Sequence, residues 1–456
     1  MSVTLMTALF LQLVAVLALR HLLGKTWLRR PVTLLILASA VYQGVSPVLL
    51  SFGSIGTWDI YRRGVQQQYV DQATLILSGA MLAFTACYLL TRPQRVMAEP
   101  EPADVRVAAR MLDWRLLALA CVPLAVLTYS GRGYNGGGSP GATTSLSSSL
   151  ASTFFVIMVV VAAFSFLLRH DTRLFLPILA AQSLLLAAAG ERTPILIDAI
   201  ALLALLASAG RRPTGMQVRV AVALTAVAIL AITGVRAEQG RSIYYRDSGL
   251  GARVTALAGG LGALWGTSPQ GTPGLVAQAA VRLDGTDFAG AIVQAEHLGQ
   301  PRLGAAAVPE SVLLAVPSAL WPSKLAHDLN PVQAELDGFA MQQVNFLPGL
   351  PGLYSGFLPP LWLIVLLGFL GVLAGRGERW LLSQWTTARA VLLAGAVTAA
   401  LRFEQGLPGM LLALRAAVVI AVVVKVAEMA MARRQADAVR RPARAWRNAL
   451  HARQEG

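Results

Sequence analysis

The sequence predicts an all-α membrane bundle of about eleven spans with one large outer loop of short helices. Three observations carry this. Of the 456 residues, 55% are hydrophobic and only 13% charged, with mean hydropathy +0.60, whereas a soluble domain carries about 25% charged residues. Apolar runs close to the ~20 residues needed to cross a bilayer recur along the chain. Basic residues collect in alternate loops, as they do in proteins that follow the positive-inside bias.

Taken in order, the apolar runs place spans near 3–23, 32–52, 73–91, 114–130, 148–168, 174–190, 194–209, 218–235, 353–375, 386–401 and 407–430. The sixth and seventh are short and separated only by Glu191-Arg192-Thr193. They form either a tight hairpin or a broken helix lining a cavity. The first run lacks a basic leader and a small-residue cleavage site, so it reads as a retained span. Cys87 and Cys121 both fall inside apolar runs and read as small packing residues.

Charge sets the orientation. Loops after the odd-numbered spans carry Lys25/Arg29/Arg30, Arg92/Arg95/Arg106/Arg110, Arg169/Arg173, Arg211/Arg212/Arg219, Arg376/Arg379 and the tail from Arg433 to Arg453. These are expected on the cytoplasmic side, with the N-terminus outside and the C-terminus inside. The net charge of +15 therefore belongs to membrane anchoring against anionic lipid and does not imply nucleic acid. The chain divides into a first membrane bundle (1–235), an outer loop (236–352), a second set of spans (353–430) and a basic cytoplasmic tail (431–456). The Gly- and Ser-rich stretch 131–147 reads as a mobile outer linker. It is not a phosphate-binding P-loop, because no Gly-Lys-Ser/Thr follows. The tail, with Trp446 and Leu450 among its arginines, suits an amphipathic helix on the inner leaflet.

Gly, Pro and polar residues alternate with short apolar runs across the outer loop. Residues 251–265 and 274–298 read as amphipathic helices, with Asp287, Phe288, Ile292 and Ala295 on a helical period. The run Glu310–Leu320 is apolar but too short to span, and Pro317 interrupts it. It is expected to pack against, or dip into, the outer leaflet. Such a loop is long enough to cap the bundle. Arg192, Arg236, Arg241, Arg246 and Arg253 fall just outside spans on the outer side, against the usual bias. An anionic ligand at the outer membrane face is the chemical reason that suits them. The competing reading is that each snorkels to headgroups or pairs with Glu191, Glu238 or Glu404.

Several short motifs occur in a telling order. Gly190-Glu191-Arg192 ends one span and Gly234-Val235-Arg236 ends a later one. Pro317-Ser318-Ala319-Leu320-Trp321-Pro322-Ser323-Lys324 lies late in the outer loop. Pro348-Gly349-Leu350-Pro351-Gly352-Leu353-Tyr354-Ser355 leads back to the membrane. Over roughly residues 185–375 this order resembles the O-antigen polymerase family, the Wzy-like oligosaccharide repeat-unit polymerases. Leu353 stands where that family usually has an acidic residue before the Tyr.

The resemblance implies a GT-C-like bundle in the bacterial cytoplasmic membrane. It implies a glycosyltransferase that joins polyprenyl-diphosphate-linked oligosaccharides on the outer face for a surface polysaccharide. Arg192 and Arg236 are then the first candidates to bind the diphosphate, followed by Arg241, Arg246, Arg402 and Arg415. A guanidinium binds phosphate oxygens through a fixed, permanently charged fork. An Arg inside a span, such as Arg415, costs ~2.5–3.5 kcal/mol on insertion scales and calls for a function. For removing the acceptor proton the candidates are Asp287, Glu296 and His297, with Asp284 and His327 behind them. Lys324 and Tyr354 are further loop candidates. No cofactor or metal is expected: Asp59 and Asp71 are twelve residues apart with Arg62 and Arg63 between, and no His/Cys cluster has ligand spacing. Expected partners are the lipid-linked oligosaccharide, membrane lipids and a chain-length regulator.

Two other functions share parts of this pattern. An O-antigen ligase-like transferase would use the same carrier and arginines. A lipid-linked oligosaccharide flippase or transporter would favour internal repeats and charge near mid-membrane. No repeat relates the two halves, and mid-span charge is limited to Arg415.

Overall fold

The computed structural model describes residues 2–24, 27, 30–45, 47, 65–91, 286–304, 307–313, 315–316, 349–352, 355–383, 386–403 and 406–426, with scattered positions between 180 and 227 and at 255, 321 and 429–430. The described residues are helical, with no strand among them. The elements are α1 (Val3–Leu23), α2 (Pro31–Ala40), continued by a π-helical turn (Val41–Val45), α3 (Gln67–Thr91), α4 (Thr286–His297), α5 (Ala307–Leu313), the one-turn α6 (Gly349–Gly352), α7 (Pro360–Leu381), α8 (Thr387–Leu401) and α9 (Gly406–Val426).

Four of these, α1, α3, α7 and α9, are long and apolar enough to cross a bilayer. At 1.5 Å per residue, the 21 residues of α1 span about 30 Å, the thickness of a hydrocarbon core. Shorter apolar helices cover Pro31–Gly44 and Ala388–Leu401. Six of the expected spans thus coincide with described helices. The five expected between 114 and 235, the linker 131–147 and the tail after Arg433 lie outside the described residues or touch only scattered positions.

Two boundaries differ from the sequence expectation. The third span begins at Gln67 instead of 73, because Gln67, Gln68 and Asp71 are helical although polar. The ninth runs from Pro360 to Leu381 instead of 353–375. After the one-turn α6, the turn Ser355–Leu358 holds the chain out of a helix until Pro359-Pro360 starts one. A proline is tolerated at the first helical position because its missing N–H has no partner there. Arg376 and Arg379 consequently sit inside the last turns of α7.

The centre of the described fold is α3, against which α1, α4 and α7 pack. Leu77, Ala80, Met81, Phe84 and Tyr88 of α3 are all buried there. Helix α7 reaches α3 through glycines. A Cβ at Gly371 would lie 2.3 Å from the Phe84 carbonyl oxygen, and one at Gly375 would lie 2.3 Å from Thr91 Oγ1. Close backbone approach of this kind drives helix association where lipid is as apolar as leucine. Helices α8 and α9 meet in the same way at Gly395 and Ala417.

Contacts define the two ends of the bundle. At one end Ser2 donates to Asp71, and α4 packs on the start of α3. There too Gly349 abuts Phe403, in the turn between α8 and α9. At the other end Arg30, Tyr88, Thr91, Glu378 and Arg379 come together.

Candidate functional site

The end that gathers Ser2 and Asp71 also receives part of the long segment between α3 and α7, and α4 is the piece that docks. Of the residues on its expected period, Asp287, Phe288 and Ile292 are buried and Ala295 is half-buried. Gly290 lets the helix ride directly on Val70, since a Cβ there would be 2.9 Å from Val70 Cγ2. The Gln294 Oε1 accepts from the Gln66 backbone N–H at 2.8 Å. Helix α4 ends at Gly299, whose φ of +90° suits glycine. The Gln300 N–H then bonds back to the Ala295 carbonyl at 3.0 Å, and the chain reverses beneath the helix.

That reversal delivers Arg302, which joins three pieces. Its Nε donates to Glu296 Oε1 at 3.0 Å and its Nη2 pairs with Glu296 Oε2. Its Nη1 donates to the carbonyls of Leu358, at 2.7 Å, and Ser355. The neighbouring Leu303 N–H bonds the Gly356 carbonyl at 3.0 Å. Arg302 therefore ties the end of α4 to the turn that opens α7. A bidentate Arg–carboxylate pair adds geometric specificity as well as attraction.

The expected site residues are distributed as follows. Asp287 is buried in the first turn of α4, where the helix dipole favours a carboxylate. Glu296 is exposed and has both oxygens engaged by Arg302. His297 is exposed, with its ring 5.3 Å from that of Tyr69 at a tilt of 46°. Asp287 and His297 stand ten residues apart on one helix, about 15 Å along its axis, so the fold does not bring them to one point. Arg402 caps the end of α8, half-buried at the end of the bundle that holds α4. Arg415, mid-way along α9, donates from Nη1 to the Ala315 carbonyl at 3.3 Å. Arg192, Arg236, Arg241, Arg246, Arg253, Asp284, Lys324, His327 and Tyr354 lie outside the described residues.

The Arg415–Ala315 contact carries a topological message. Ala315 follows α5, the short apolar helix of the long segment, and Arg415 is the tenth residue of an apolar helix of 21. The segment thus reaches well below that end of the bundle. Irregular backbone at that depth needs a protein donor, and Arg415 supplies one.

Between α3, α4 and α7 lies a cavity of about 10 Å³, lined by Ala73, Leu77, Ala289, Arg302, Ser355 and Leu363 among others. That is room for about one water and none for a sugar or a diphosphate.

Sequence reasoning missed two clusters. Arg302 carries a local signal, a Glu and an Arg six residues apart around a helix-ending glycine. The second cluster is buried at the opposite end. Arg30 Nη1 meets Glu378 Oε1 at 3.1 Å, with the two side chains 4% and 2% exposed. Arg30 also donates to the Tyr88 hydroxyl at 3.3 Å. Nothing in the sequence pairs residues so far apart.

No protein-family model, curated protein or solved structure matches this chain.

Proposed function

We propose that this chain is a membrane glycan polymerase of the bacterial cytoplasmic membrane. It joins polyprenyl-diphosphate-linked oligosaccharide units on the outer face, without a metal. The observation that carries the reading is the attachment of the long segment to one end of an apolar bundle. Arg302 pins it there and Arg415 receives it deeper in. The outward arginines of the sequence, Arg192 and Arg236 first, then belong with Arg402 to one side of the membrane. A cationic rim above lipid-accessible helices suits a substrate with an anionic diphosphate between a polar glycan and an isoprenoid tail.

In the reaction, an acceptor hydroxyl oxygen attacks the sugar carbon that carries the diphosphate. The carbon–oxygen bond to the diphosphate breaks, and the diphosphate leaves with the electron pair. A base in the cap takes the hydroxyl proton. Fixed cations placed where the leaving group gains charge lower such a barrier without reorganisation. Asp287, Glu296 and His297 remain the proposed proton acceptors; Glu296 would act only after release from Arg302.

Purified protein in lipid should lengthen a polyprenyl-diphosphate oligosaccharide in the presence of a chelator. Transfer of one finished glycan to an unrelated acceptor would identify a ligase. Movement of the lipid across the bilayer without chain growth would identify a flippase.

A further inference from the structure

Helices α1, α2 and α3 each bring a polar side chain to one layer of the bundle. Leu23, Val32 and Tyr88 share the buried core at the end that holds Arg30. Gln12 stands eleven residues from Leu23 on α1, Gln43 eleven from Val32 along α2 and its π-helical turn, and Ser78 ten from Tyr88 on α3. At 1.5 Å per residue each lies about 15–17 Å from that end. That is the middle of a hydrocarbon core about 30 Å thick.

Contacts bear the layer out. Gln12 Nε2 donates to Ser78 Oγ at 3.2 Å. The Ser39 hydroxyl donates to Gln43 Oε1 at 2.9 Å, so Gln43 continues the buried stripe of Val32, Ile36 and Ser39. The next residue, Gly44, lies against the Gln12 side chain. Gln12 is 4% exposed, Gln43 and Ser78 1%, and Ser39 0%. Two polar atoms are left over. Gln12 Oε1, an acceptor, and Gln43 Nε2, a donor, have no hydrogen-bond partner among the described residues. Burying an amide group unsatisfied in apolar surroundings is costly.

Gly44 supplies room for a partner. A Cβ built on it would meet nothing nearer than Gln12 Cγ and Leu9 Cδ2, both at 3.8 Å. A methyl-sized space therefore lies beside Gln12 within the π-helical turn, a distortion that recurs at functional sites.

We infer that this space holds one water molecule, which accepts from Gln43 Nε2 and donates to Gln12 Oε1. Water combines a donor and an acceptor at that size, and a buried water needs two or more polar partners. The burial of all four polar side chains shuts out a larger hydroxyl compound. The site joins α1, α2 and α3 at mid-bilayer depth, apart from the outer rim assigned to the diphosphate.

Gly44→Ala separates a wet layer from a dry one. A dry space would take the methyl group at ordinary contact distance and gain from it, since alanine is the better helix former. With water in place, the methyl group expels it and strands both amides. The full-length Gly44→Ala protein in detergent should therefore unfold at a lower temperature than the unmodified protein. Gly79→Ala, on α3 with open space around it, should not. A Gly44→Ala protein as stable as the unmodified one, or more so, overturns the proposal. In a density map that resolves ordered water, the unmodified protein should show a peak within about 3.2 Å of both Gln12 Oε1 and Gln43 Nε2. The peak should stay when sodium salts are replaced by choline salts. An empty space, a direct Gln12–Gln43 hydrogen bond, or a peak lost without sodium overturns the proposal. The last result would mean that Gln43 presents its oxygen and that the layer holds a cation. Should Gly44→Ala fail to accumulate, the density of the unmodified protein decides alone.

Discussion

The Tyr88 hydroxyl donates to both oxygens of Glu378, at 3.0 and 3.1 Å, across 290 positions of sequence. Arg30 completes the group at 3.1 Å. Three polar side chains, each from a different part of the chain, thus neutralise one another inside an apolar bundle. Removing one partner of a buried pair strands the other charge, whereas replacing both with apolar groups is often neutral. Glu378→Ala is expected to cost about 3–5 kcal/mol, and the double variant Arg30→Met, Glu378→Leu should recover most of it. Thermal unfolding in detergent reads this. A double variant as unstable as Glu378→Ala would mean that the ion pair itself holds the helices.

The glycine contacts of α7 make a second expectation. Gly371→Leu must push against the Phe84 backbone, which cannot swing away. Overpacking of this kind costs about 1–3 kcal/mol. Gly377→Ala, on the same helix but with open space around it, should leave stability unchanged. Equal effects would show that α7 is held by its side chains and not by close approach to α3.

Arg302 and Glu296 should not be equivalent. Glu296 is exposed, and a surface ion pair contributes only about 0–1 kcal/mol. Arg302 also holds the carbonyls of Ser355 and Leu358. Arg302→Ala should therefore speed hydrogen exchange across 303 and 355–358, while Glu296→Ala changes it little. Identical exchange profiles would reduce Arg302 to an ordinary surface partner.

The proposed topology is checked by labelling. A Cys replacing Gln270 should react with an impermeant reagent from outside, and one replacing Ala445 should not. Reaction at 445 in intact cells would sink the orientation deduced from the loop charges.

For the proposed chemistry, Arg192→Ala and Arg236→Ala should each lower polymerisation by 10²–10³, about 2.7–4 kcal/mol for losing one positioned donor in a desolvated site. Arg192→Lys keeps the charge but loses the fork and should still be impaired. Arg253→Ala should matter less. Glycan ladders at matched expression provide the measurement, and normal ladders from both alanine variants would make these arginines structural anchors.

What could be read from the sequence follows from range. Val3–Leu23 and Gly406–Val426 are long and predominantly apolar, so composition alone places them. The buried face of α4 was legible because Asp287, Phe288 and Ile292 obey a local period. The start of α3 was not, since Gln67 and Asp71 are polar residues whose partners, each other and Ser2, become visible only in three dimensions. Arg302 is not among the arginines that the sequence singles out, and Arg30 reads there as one more cytoplasmic anchor. Their roles depend on carbonyls and a carboxylate supplied from α7, which no window along the chain contains.

The distance between Tyr88 and Glu378 also sets a timetable. A ribosome adding 5–20 residues per second needs roughly 15–60 s to go from one to the other. Through that interval α3 and Arg30 are already made, while the helix that will neutralise and cover them does not yet exist. The young protein must therefore pass through a stage in which its central helix is exposed on one flank. Whatever shelters that flank, lipid or an insertion factor, has to yield when α7 arrives.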